Sequence, residues 1–148
     1  MKISIGLLLI TCLFSAFTSS DTHDQEEAIF HAVFTHREVE RAIIHVPRWE
    51  HAPIQLILLQ NEFTADVQSI QLHSAQLVVL NEDGIRQNRI TTYYAINDFV
   101  QSGNTATLSF AQWRGVPSRP IAGGYAADVS LVRRKGRWVA TRVELQED

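Results

Sequence analysis

The amino-acid sequence predicts an α+β domain in which an N-terminal amphipathic helix packs on a curved antiparallel sheet. Three observations carry this. Apolar residues recur at helical spacing between Asp24 and Val46, β-branched and aromatic residues dominate from Arg89 onward, and Gly, Pro, Asn and Asp clusters cut that second region into strand-length pieces. A helix followed by strands that pair in sequence buries its apolar stripe against one face of the sheet.

Ahead of the helix, Met1-Lys2 carries one early positive charge, and Ile3 to Phe17 has no charge at all. The run is shorter than the roughly 20 residues of a membrane-spanning helix, and the chain turns sharply polar at Asp21 to Glu27. With the small residues Thr18, Ser19 and Ser20 between them, this is the pattern of a secretory signal over residues 1–20, and it predicts an exported domain over residues 21–148 with no membrane span. Cys12 is the only cysteine. A lipid anchor there is disfavoured by Thr11 before it and by the short apolar stretch. An oxidising compartment entered without disulfides points to a bacterial envelope, either periplasmic or secreted. The formal net charge is −3, and loss of Lys2 with the signal deepens the acidity by one charge. That balance argues against a nucleic-acid partner, because phosphate binding needs clustered Lys and Arg.

The helix is expected over Asp24 to Val46, with Ala28, Ile29, Ala32, Val33, Val39, Ile43 and Val46 in one arc and Glu27, Glu38 and Arg41 elsewhere. Thr22 or Asp24 can cap it, and Pro47 ends it. A break at Thr35-His36 into two shorter helices is an open alternative. Pro47 to Pro53 reads as a loop holding Trp49, and Ile54 to Leu59 is an apolar run of strand length. Residues 65–80 fit one bent strand, two strands or a short helix, while Asn81-Glu82-Asp83-Gly84 is a turn signal. Beyond it, Arg89 to Val100 and Thr105 to Trp113 form a hairpin about Gln101 to Asn104. Arg114 to Gly124 reads as a Pro/Gly loop. Tyr125, Ala127, Val129 and Leu131 then alternate with polar residues before Arg133-Arg134-Lys135-Gly136 turns the chain into Arg137 to Leu145.

The helix, the meander and a last hairpin running from Val129 through Gly136 to Trp138 and Thr141 resemble the ending of cystatin-like domains and of domains similar to nuclear transport factor 2, including ketosteroid-isomerase-like ones. The resemblance covers mainly residues 104–145. It implies a helix over a curved sheet, and it leaves function open, since that fold hosts enzymes and binders alike.

Six histidines invite a metal reading, but His23, His31, His36, His45, His51 and His73 show no ligand spacing, so no metal and no cofactor are expected. His36 and Glu40 stand i, i+4 within the apolar arc, the placement of a tuned general base; solvation at a helix break is the plainer reading. Tyr93, Tyr94, Asp98 and Asp128 are strand residues that can line a cavity under a curved sheet, where a phenol and a carboxylate serve proton transfer beside a carbonyl. Trp113, Arg114, Arg119, Arg133, Arg134 and Arg137 are the residue types enriched in interface hot spots, and they fall in two expected loops. The expected function is therefore an exported, non-catalytic binding protein that takes a protein or small-molecule partner through those six residues. The alternative is a small cavity enzyme of the ketosteroid-isomerase-like kind, built on His36, Glu40, Tyr94 or Asp98.

Overall fold

The computed structural model describes residues 18–44, 54–64 and 67–147. Two helices open the chain, α1 over Thr18–Phe34 and α2 over Arg37–Ile43. The break falls at Thr35-His36. Thr35 Oγ1 donates to the His31 carbonyl at 2.6 Å, a back-bond that competes with the helical ladder, and His36 is extended with φ −66° and ψ 130°. The expected single helix is thus corrected to its alternative of two. Ile29, Val33, Val39 and Ile43 are buried as the arc requires, together with Phe30 and Phe34, whereas Ala28 is exposed. Val46, Pro47 and the Trp49 loop lie outside the described residues.

Seven strands follow: β1 (Ile54–Leu59), β2 (Ile70–Gln71), β3 (Ala75–Leu80), β4 (Thr92–Ser102), β5 (Thr105–Val116), β6 (Arg119–Arg134) and β7 (Arg137–Glu147). They form one sheet in the order β2-β3-β1-β4-β5-β6-β7. The sheet is mostly antiparallel but not wholly so, because β1 runs parallel to both β3 and β4. Its mainly apolar sequence, broken only by the exposed Gln55, suits that interior position. Of the stretch 65–80, the described residues 67–80 hold the short β2, a reversal through Leu72 to Ser74, and β3.

The turn expected at Asn81 to Gly84 is instead the start of a short helix, α3, over Glu82–Gln87. Asn81 caps it, its Oδ1 accepting from Gly84 N–H at 2.7 Å. The residue types that signal a turn also signal a helix start, and Ile85 settles the outcome by burying completely. α3 packs against β3 and β5.

Register shifts at Ile96/Asp98, Ala111/Trp113 and Ser130/Leu131 place bulges in β4, β6 and β7, and such bulges bend and twist long strands. The sheet curls around the two N-terminal helices. Its inner face supplies Tyr94, Ile96, Leu108, Phe110, Val129 and Leu131 to a single core with Phe30, Phe34 and Val39. Phe34 meets Phe110 at 5.0 Å between ring centroids, and Phe30 meets Phe99 at 5.3 Å. The last hairpin turns on Lys135 and Gly136, both at positive φ, the pairing that a two-residue turn needs to match strand twist. Trp138, just beyond it, is buried at 8% exposure as its place in the closing strand predicts.

The Pro/Gly loop expected over Arg114 to Gly124 is not a loop. β5 continues to Val116, a turn at Pro117-Ser118 reverses the chain, and β6 returns from Arg119. Pro120 pairs with Gly115, and no neighbour on its other side needs the missing N–H, because β7 reaches only as far as Tyr125. Gly123 is required by proximity: a Cβ there, in the β6 bulge, would stand 2.7 Å from the Gln112 carbonyl oxygen of β5.

Candidate functional site

The continuous β5–β6 hairpin changes the meaning of the Trp and Arg residues. Pairing with β4 ends at Thr92↔Arg114, and pairing with β7 ends at Tyr125↔Glu147. Past a last bond from Gly115 N–H to the Thr91 carbonyl, 2.9 Å, residues 116–124 are strand-paired only with β5 or β6. They form a two-stranded arm beyond the edge of the sheet.

Side-chain alternation sorts the arm into two faces. Arg114 pairs with Ile121 and Val116 with Arg119, so these four share one face. Both arginines are exposed, Ile121 is 67% exposed and Val116 44%. Trp113 and Pro120 belong to the other face. There they line a groove of about 330 Å³ with Phe63, Tyr93 and Pro117. The groove's far wall is held by a polar turn: Phe63 N–H donates to Asn61 Oδ1 at 3.0 Å, and Asn61 Nδ2 donates to the Ile96 carbonyl at 2.8 Å. Thr64, fully buried, donates from its hydroxyl to the Leu59 carbonyl at 3.1 Å and accepts from Asn61 N–H at 2.8 Å.

The arm carries Arg119, and Trp113 and Arg114 stand at its base, where β5 still pairs with β4; the other three residues are elsewhere. Arg133, Arg134 and Arg137 sit at the opposite end of the 16-residue β6. Along such a strand the separation is on the order of 50 Å, so the six do not make one surface.

The residues considered for catalysis are likewise dispersed. His36 and Glu40 do not pair. Glu40 instead accepts from His73, from the backbone N–H at 2.8 Å and at Nδ1 at 2.7 Å, tying α2 to the β2–β3 reversal. Asp98 and Asp128 are exposed on the outer face, where Asp98 pairs with Ser109 and Ser109 hydrogen-bonds Asp128. The bulge between Ile96 and Asp98 moves Asp98 out of phase with the core-facing Tyr94 and Ile96, which is why strand alternation misplaces it. Tyr93 is buried outside the main core, and Tyr94 inside it.

The inner face does hold a phenol cluster at its arm end. Tyr94 Oη donates to the Ile43 carbonyl at 3.3 Å and accepts from Gln112 Nε2 at 3.2 Å. Tyr125 lies on the far side of Phe110, whose ring centroid is 6.2 Å from that of Tyr94 and 6.3 Å from that of Tyr125. Its hydroxyl is buried without a hydrogen-bond partner among the described residues. Nothing local in the sequence distinguishes Tyr125 from a core aromatic of β6. Burial pushes its ionisation far above the ordinary phenol range, with Tyr94 and Glu147 adding to the rise. Burial also raises Tyr94, partly offset by Gln112, and Tyr93, with Glu82 adding.

These three are all the tyrosines of the chain, which makes the effect measurable in bulk. A phenol whose folded pKa exceeds its unfolded value stabilises the fold fully below about pH 10, and that stability drains as pH rises towards the folded value. Spectrophotometric titration of the folded protein is expected to show tyrosine ionisation displaced to higher pH than in a urea-unfolded sample, which should titrate near about 10.

The fold and these sites define a mixed α+β protein with a curled, antiparallel-dominated sheet, a helical cover and a projecting β-arm. No protein-family model matches the chain, and no curated protein matches it. Among solved structures, an NTF2-like protein of unknown function from Shewanella baltica is similar at 8% identity, over 87% of this chain and 94% of that one, with a TM-score of 0.31. No helix among the described residues is long and apolar enough to cross a membrane.

Proposed function

We propose that this protein is an exported, non-catalytic binding protein of the bacterial envelope that engages a protein partner through the β5–β6 arm. The observation that carries the reading is the arm's composition: exposed Ile121, Val116 and Arg119 stand past the end of both flanking strands, beside exposed Arg114 at the arm's base. An apolar centre flanked by arginines is the composition of an interface core with a selective rim. Trp113 supports the arm from its other face and offers the adjoining groove to a partner's side chain. The export signal over residues 1–20 supplies the address. At family level, the helix over a curled sheet and the Trp138 hairpin support a relation to nuclear transport factor 2-like domains.

Arginine at the rim selects an acidic partner, so binding weakens as salt rises. The test is recovery of a partner from envelope extract on immobilised protein. Ile121→Asp is expected to abolish recovery, and Trp113→Ala/Arg119→Ala to reduce it about tenfold or more, the usual weight of hot-spot residues. Arg134→Ala, at the other end of β6, should leave it unchanged. Equal recovery by all variants would refute the site.

A second reading, a small cavity enzyme or small-ligand binder, is favoured by one observation, the unpartnered Tyr125 hydroxyl on the inner face. Being held neutral, it can donate to a carbonyl oxygen. Tyr125→Phe should then abolish turnover or ligand binding without disturbing partner recovery.

A further inference from the structure

A second groove, separate from the arm, lies between α1 and the β6–β7 hairpin and encloses about 520 Å³. Its space comes from small residues on both sides, Ala28 and Ala32 on the helix and Gly136 and Ala140 on the hairpin. Trp138 lines it at 8% exposure, and its Nε1–H has no acceptor among the described residues. His36 lines it too, and its Nδ1 is likewise buried without a partner. Two such nitrogens in one groove form an exception to the rule that buried polar groups find partners, and both can present an N–H to a bound acceptor. Exposed His31 and Arg137 and the half-buried Thr35 complete the polar lining, and no carboxylate is among the lining residues.

We infer that this groove binds a small organic carboxylate whose apolar body lies along Ala28, Ala32 and the Trp138 indole. Its oxygens are taken by the Trp138 and His36 N–H groups and by the Arg137 guanidinium. The lining offers donors and positive charge to an anion, and the alanines offer apolar surface that a bare inorganic anion would leave wet. Both ring nitrogens sit beneath the groove surface, so binding turns the rings slightly to meet the ligand. The inference is independent of the arm, since none of the residues it invokes belongs to it.

The experiment follows the tryptophan indole N–H resonances of isotope-labelled protein during titration with benzoate, and in parallel with inorganic phosphate. Trp138→Phe identifies the Trp138 resonance by its disappearance and keeps most of the buried ring. Benzoate is expected to move that resonance saturably while the other two indoles stay in place. Arg137→Gln, an exposed position whose change leaves the fold intact, should weaken benzoate about tenfold, the scale of one charge-assisted hydrogen bond. No saturable movement, movement undiminished in Arg137→Gln, or phosphate acting as well as benzoate would each overturn the carboxylate site.

Discussion

Replacing Trp138 with alanine is expected to lower the stability of the fold by about 3–5 kcal/mol, the usual cost of removing a buried large aromatic. Trp138 is part of the core although it lies on β7, the edge of the sheet, where packing comes from β6 on one side and from α1 and α2 above. The melting temperature should fall by on the order of 10–20 °C, and the urea midpoint should fall with it. Trp138→Phe, which keeps a ring in place, should lose much less. A melting temperature of Trp138→Ala within error of the parent would show that the closing hairpin does not secure the helices.

Phe110→Ala is expected to cost a similar amount, about 3–5 kcal/mol, for a different reason. Phe110 is 1% exposed at the centre of an aromatic chain, touching Phe34 from the helical layer and both Tyr94 and Tyr125 from the sheet. Its loss opens a cavity where the two layers meet and uncovers two phenols. The variant should therefore show a second signature that Trp138→Ala lacks: Tyr94 and Tyr125 begin to ionise closer to the ordinary phenol range, before the protein unfolds. Loss of stability with an unchanged tyrosine titration would mean that Phe110 does not control the burial of those hydroxyls.

The parts of the fold that were legible in the sequence are those fixed by short-range periodicity. Ala106, Leu108 and Phe110, and Tyr125, Ala127, Val129 and Leu131, alternate in the sequence and are all buried. The helix arc placed Ile29, Val33, Val39 and Ile43 correctly. The parallel pairing of β1 was not legible, because its register is set by residues 75–80 and by Tyr94, far along the chain. Pro117 and Pro120 misled for a physical reason. Both are strong local breakers, yet one occupies a tight turn and the other an edge where its missing N–H has no ladder to disrupt. Reading them as a loop cut β6 short and concealed that its basic end and its arm end are far apart. Glu40 falls in the apolar arc of the helix pattern, but its partner, His73, lies in another element that no helical spacing reveals. The unpartnered hydroxyl of Tyr125 and the indole of Trp138 are products of tertiary packing alone.

The central claim, that the arm is the contact surface, is tested most directly by site-specific photo-cross-linking in the native envelope. A photoreactive side chain placed at Ile121, 67% exposed on the arm, is compared with one at Val100, 53% exposed on β4. The two positions are similarly accessible and differ in place. A discrete cross-linked species from position 121, absent from position 100 and fading as salt is raised, is the predicted result. No product at 121, or the same product from both positions, would contradict it.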